Sequence, residues 1–96
     1  MPKSDDEWDW KLTEPAEREY RKLQPQEQER IVSKLDEIVT DQWREPTDYL
    51  EPLTGAPHSK LRIGAFRLGC TVRQPEQILL VHTIEKRSGA YKPGDD

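Results

Sequence analysis

The side chains able to do chemistry cluster in the C-terminal half of the chain. They are Lys60, Arg62, Arg67 and Arg73, followed by Lys86, Arg87 and Tyr91. Arg grips a phosphate through two parallel N–H donors, and Lys offers a compact positive charge. Three of the cations, Lys60, Arg62 and Arg67, fall on one face of a single predicted hairpin, within about 5–8 Å of one another. Cations that close repel unless an anion or solvent offsets them. The pattern fits a surface for polyanions, with a plain solvated sheet face as the competing reading. Tyr91 could stack on a nucleobase or close the core as a terminal aromatic. His58 opens the basic stretch, whereas His82 reads as an ordinary strand residue.

The whole-chain charge hides this cluster. The 96 residues have a formal net charge of -4, and a sequence pI of about 5.2 argues against a polyanion binder. Residues 1–57 hold 8 Lys/Arg against 15 Asp/Glu, whereas residues 58–92 hold 7 against 2. Acidic charge belongs to the helices and termini, basic charge to the predicted sheet, and such asymmetry suits a nucleic-acid-facing surface.

Three strands must position these cations. Ser59–Ile63 points Leu61 and Ile63 one way and Lys60 and Arg62 the other. Gly64-Ala65 makes a tight turn. Phe66–Arg73 sends Phe66, Leu68, Cys70 and Val72 inward and Arg67, Gly69, Thr71 and Arg73 outward. After a turn at 74–77, residues 78–84 are apolar on both faces, as an interior strand requires.

Upstream, Trp8, Trp10 and Leu12 alternate with charged residues, the period of a half-buried strand. Thr13 then caps a helix with Ala16, Tyr20 and Leu23 on one face. Gln24-Pro25 breaks it, and a second helix follows with Ile31, Leu35, Ile38 and Val39 as its stripe. So short a break makes the pair an antiparallel hairpin. Residues 40–57 form a connection that Trp43, Tyr49, Leu50 and Leu53 are expected to pin to the core. The expected fold is α+β: an N-terminal strand, an antiparallel helical hairpin, then a three-stranded antiparallel meander, the helices covering one sheet face. Residues 1–96 make one domain, with 1–6 and 93–96 as flexible tails.

The remaining composition narrows the function. One cysteine, Cys70, excludes an intramolecular disulfide and suits the cytoplasm. With two separated histidines it gives no metal-ligand spacing, so no metal or other cofactor is expected. No apolar run reaches the ~18–20 residues of a membrane span, and the N-terminus lacks a signal-peptide core.

The order of these segments resembles the RelE/ParE superfamily of bacterial and archaeal toxins, from Trp8 to Tyr91. The specific features are Lys60-Leu61-Arg62-Ile63-Gly64-Ala65-Phe66-Arg67 and, after the last strand, Lys86-Arg87 with Tyr91. The resemblance implies a RelE-like, ribosome-dependent messenger RNA endonuclease whose partners are the ribosome, mRNA and a neutralising antitoxin. It implies metal-free attack of a 2′-hydroxyl on the adjacent phosphate. Lys60 would be base or phosphate clamp, and Arg67 would stabilise transition-state charge. Arg87 would bind phosphate or assist the leaving group, and Tyr91 would stack on or orient the nucleotide. His58, Arg62, Arg73 and Lys86 would support RNA binding.

Two positions depart from the pattern. His58 lies near a site where some active members carry Lys, and could substitute as an acid or base. Thr54 stands where a basic residue is often found. The alternative is a non-catalytic, protein-binding member, either a ParE-like gyrase inhibitor or a degenerate toxin.

Overall fold

The computed structural model describes residues 7–52 and 55–86. Strand β1 (Asp9–Leu12) leads into helix α1 (Glu14–Arg21) and helix α2 (Pro25–Val39). A short 3-10 turn (Pro46–Tyr49) precedes strands β2 (Ser59–Ile63), β3 (Phe66–Arg73) and β4 (Ile78–Lys86). The architecture is the expected α+β arrangement. The four strands form one sheet in the order β1-β4-β3-β2, antiparallel except that β1 joins β4 in parallel.

Helix boundaries follow local chemistry. Thr13 has the extended backbone of an N-cap, but its hydroxyl caps nothing. Its N–H instead donates to the Val81 carbonyl at 2.9 Å, tying the start of α1 to β4. Pro25 opens α2, where its missing N–H costs nothing. The Glu27 carboxylate accepts the Gln24 N–H at 3.0 Å, satisfying a helix-end donor.

The core lies between the helices and one sheet face. Ile31, Leu35 and Ile38, at i, i+4 and i+7 of α2, are fully buried together with Ala16 of α1. From the sheet they meet Leu61, Ile63, Phe66, Leu68, Cys70, Leu79, Val81 and Ile84. Each buried Leu, Ile or Phe contributes about 1.5–3 kcal/mol. Burial pushes the Cys70 thiol up to about 12, so it stays an inert neutral group. Trp10 packs against the core edge and donates its indole N–H to Asp36 of α2 at 2.8 Å.

Gly64 fits the β2–β3 turn because its φ of +57° at the first loop position is costly for a residue with a Cβ. In the connection, Trp43 differs from expectation: it is 90% exposed. The cause is Asp41, whose carboxylate accepts the Trp43 and Arg44 N–H groups at 2.8 and 3.2 Å and folds a turn that directs the indole outward. Tyr49 and Leu50 do pack against the core, and Tyr49 donates its hydroxyl to the other Asp41 oxygen. Leu53 lies outside the described residues. No helix among the described residues is long and apolar enough to cross a membrane.

Candidate functional site

The sheet face away from the helices carries Lys60, Arg62 and Arg67, arranged in rows by strand register. One row runs Arg62, Arg67, Glu85 across β2, β3 and β4. The next runs Lys60, Gly69, Thr83. Facing residues of neighbouring strands have Cβ atoms about 4.5–5.5 Å apart, so each row is a contiguous set of side chains. Gly69, lacking a side chain, leaves a hollow between Lys60 and Thr83. The result is a cleft of about 280 Å³ lined in part by His58, Lys60, Arg67, Gly69, Thr83 and Glu85.

The cleft is less basic than the sequence suggested. Lys60, only 17% exposed, lies 3.1 Å from the Glu51 carboxylate. Residue 51 also forms a backbone bridge with residue 60, with N–H···O distances of 2.7 and 2.8 Å in the two directions. The connection thus folds onto the outer edge of β2 and brings its carboxylate with it. The hydrogen bond from Lys60, then its charge, holds the Glu51 carboxyl below its usual range. The Lys60 ammonium of the cleft is thus already engaged by a carboxylate. Glu85 adds a second negative charge beside Arg67.

His58 sits at the other side of the hollow. Its ring stacks on His82 with centroids 4.3 Å apart and planes 10° from parallel. His82 Nε2 is 2.8 Å from Thr71 Oγ1. Burial, and secondarily the charge of His58, holds His82 below its ordinary value, keeping it neutral at pH 7.

The other basic residues are distributed differently. Arg62 shares the face and the row of Arg67, yet its side chain lines a separate groove of about 640 Å³ between α2 and the β2–β3 turn. That groove is larger, but Glu29 and Glu37 offset Arg30, Lys34 and Arg62 there, so it has no dominant charge sign. Arg73 is on the open face opposite Ile78, about 20 Å along β3 from Arg67 at strand spacing, and outside the cleft. Lys86 is on the opposite, helix-covered side. Strand β4 runs on past residue 84, so Lys86 pairs in register with inward-facing Phe66. There Lys86 is ion-paired with Glu27, whose carboxyl it holds below the usual range. Arg87, Tyr91 and Thr54 lie outside the described residues.

Sequence reasoning missed Glu51, His82, Thr83 and Glu85. Thr83 and Glu85 were readable from the alternation with Ile84 on β4. His82 was not, because a bulge moves it, and Glu51 meets Lys60 only through the folded connection. Among the described residues no group of three or more His, Cys, Asp or Glu side chains could hold a metal ion.

No family model and no curated protein matches the chain. Solved structures do. The chain is similar to the RelBE2 toxin–antitoxin complex from Mycobacterium tuberculosis, with a TM-score of 0.68 and 23% identity over 84% of this chain and 91% of that one. It is similar to the isolated E. coli RelE toxin, with a TM-score of 0.61 and 24% identity over 82% and 83% of the two chains. The intact E. coli RelBE toxin–antitoxin complex matches with a TM-score of 0.61 and 26% identity, covering 84% of this chain and 98% of that chain.

Proposed function

We propose that this chain, which has the RelE-like toxin fold, is the toxin of a toxin–antitoxin pair and cleaves messenger RNA on the ribosome. The observation that carries the reading is the placement of Lys60 and Arg67 in one cleft on the sheet face opposite the helices. Arg87 follows directly in sequence from the end of β4, and Tyr91 is four residues beyond. A phosphate in the cleft meets Lys60 as a point charge and Arg67 as a fork. Their charge is worth most where phosphorane charge develops during 2′-hydroxyl attack. The products are a cyclic phosphate and a 5′-hydroxyl. Arg87 binds phosphate or assists the leaving group, and Tyr91 stacks on or orients the base. Arg62, Arg73 and Lys86 lie outside the cleft and serve, at most, the more distant RNA or ribosome surface. The reaction takes place in the cytoplasm, and an antitoxin segment that folds on docking silences it.

A second reading has its own support. Glu51 occupies Lys60 and Glu85 stands beside Arg67, which suits a non-catalytic, protein-binding member such as a gyrase inhibitor. Mapping of mRNA 5′ ends on translating ribosomes separates the two. Cleavage by the wild type, reduced about ten- to a thousand-fold by Lys60→Ala or Arg67→Ala, is expected. Absence of cleavage, or full cleavage by the double variant, defeats the ribonuclease reading. Growth rescue and co-purification by a co-expressed neighbouring frame test the antitoxin.

A further inference from the structure

We propose that His58 is the proton-transfer group of the cleft and that His82 is the residue that positions it. The inference rests on the ribonuclease reading and supplies the base that the Glu51-bound Lys60 leaves open.

The β3–β4 register slips between Gly69 and Cys70. Gly69 faces Thr83 and Cys70 faces Val81, so His82 is the extra residue of β4. A bulge re-aims a side chain. Here it lays the His82 ring flat against His58 at 4.3 Å, while Thr71 Oγ1 fixes the ring plane through its 2.8 Å bond to Nε2. Gly69 completes the seat, since a Cβ built there would come within 3.4 Å of both His58 Cβ and Nδ1. Three elements therefore hold one imidazole at the rim of the cleft that contains Lys60 and Arg67. A histidine serving only as surface needs no such seat.

The charged and titratable groups around His58 are Lys60 of β2, Arg67 of β3, His82 and Glu85 of β4, and Glu51 behind Lys60. Both rings are half-buried, and burial, then His58, holds His82 below its ordinary value. His58 is the ring of the pair that lines the cleft with Lys60 and Arg67. Neutral His58 takes the proton from the 2′-hydroxyl as the 2′-oxygen bonds to phosphorus. The bond from phosphorus to the 5′-oxygen breaks with its electron pair on that oxygen, which takes a proton from water. The resulting hydroxide recovers the proton from the imidazolium. Nothing is oxidised or reduced, and the enzyme returns to its starting state.

The test is the cleavage rate on mRNA-programmed ribosomes from about pH 5.5 to 8.5, with the full chain and with His58→Gln, His82→Phe and His82→Ala. The wild-type rate should rise through the range where imidazoles titrate. His58→Gln should lose that rise and about 10²–10⁴-fold of the rate. His82→Phe keeps a flat ring against His58 and should retain the rise and most of the rate. His82→Ala should lose about tenfold or more in rate at unchanged binding. Binding is read by fluorescence anisotropy with a 2′-O-methyl RNA, and folding by circular dichroism. A wild type that cleaves while His58→Gln matches its rate and pH profile overturns this inference alone. A wild type that cleaves nothing overturns the ribonuclease reading and this inference with it.

Discussion

Replacing Gly69 by alanine tests the floor of the cleft. Gly69 does not have a left-handed backbone, so what a methyl group meets there is space, not strain. A Cβ at this position stands 2.6 Å from Thr83 Oγ1, well inside normal contact. That same oxygen accepts the Gly69 N–H at 3.0 Å. Either Thr83 rotates and the hydrogen bond is lost, about 0.5–1.5 kcal/mol, or the strands spread, about 1–3 kcal/mol. Alanine also restricts the unfolded chain, which offsets about 0.4–1 kcal/mol. The net expectation is a loss of about 1 kcal/mol, a fall in Tm of about 4–8 °C for a domain of this size. The sign should reverse once Thr83 is alanine. With the hydroxyl gone, Gly69→Ala should stabilise by about 0.4–1 kcal/mol through the unfolded chain alone. Urea unfolding of the two single variants and the double variant gives the coupling directly, expected at about 1–2 kcal/mol. Additive effects would refute the close approach of β3 and β4 at this row. The methyl should also weaken binding of short single-stranded RNA, since it narrows the hollow beneath His58.

Glu51→Gln frees Lys60 and should tighten single-stranded RNA binding, steepening the slope of log K against log salt by about 0.7, one more phosphate contact. Unchanged affinity and slope, measured by anisotropy across a salt series, would show that Lys60 does not meet phosphate. Leu35→Ala empties the middle of the α2 stripe and should cost about 2–5 kcal/mol in urea unfolding, a loss below about 1 kcal/mol counting against the helix–sheet core. Glu27, Asp41 and Glu51 all titrate below their ordinary values, through bonds from Lys86, Tyr49 and Lys60 respectively. Folded carboxyls below their unfolded values stabilise above the unfolded carboxylate range, about pH 4, and lose that contribution as pH falls through the folded values. The Tm should therefore drop as pH is lowered from about 5 toward 2, and a flat profile would contradict the three pairings. Trp43→Ser should leave stability within about 0.5 kcal/mol while removing the fluorescence most accessible to iodide. A clear loss of stability would place the indole in the core.

The fold was legible because its signals are periodic. Leu61 and Ile63 alternate with Lys60 and Arg62, while Ile31, Leu35 and Ile38 repeat at helical spacing, so both predict which face is buried. The apolar run at 78–84 announced an interior strand, and β4 indeed lies between β1 and β3. Its end was not legible, since Glu85 and Lys86 look like the start of a tail. The two added residues put Lys86 under α2 instead of beside Arg67. Pairing across long sequence distances was likewise hidden: nothing local in Glu51 foretells its bridge to Lys60. The His58–His82 stack depends on one extra residue in one strand, a change of face that period-two reasoning assigns wrongly. Trp43 shows a local contest, in which an Asp41 turn overrode the indole's apolar character.

The sheet order has a consequence for how the protein is made. Ribosomes deliver the chain from β1 onward, yet among the described residues β4 is the last strand delivered and the only sheet partner of β1. The two helices and the β2–β3 hairpin can form from near neighbours as they emerge, but a lone two-stranded hairpin is marginal in water. Until residues 78–86 arrive, β1 lacks its β4 partner and the cleft lacks the wall that carries Thr83 and Glu85. A nascent or truncated product ending before residue 78 therefore displays Lys60 and Arg67 without the β4 side chains that complete their cleft. The cleft is therefore assembled only once this closing strand has emerged and paired.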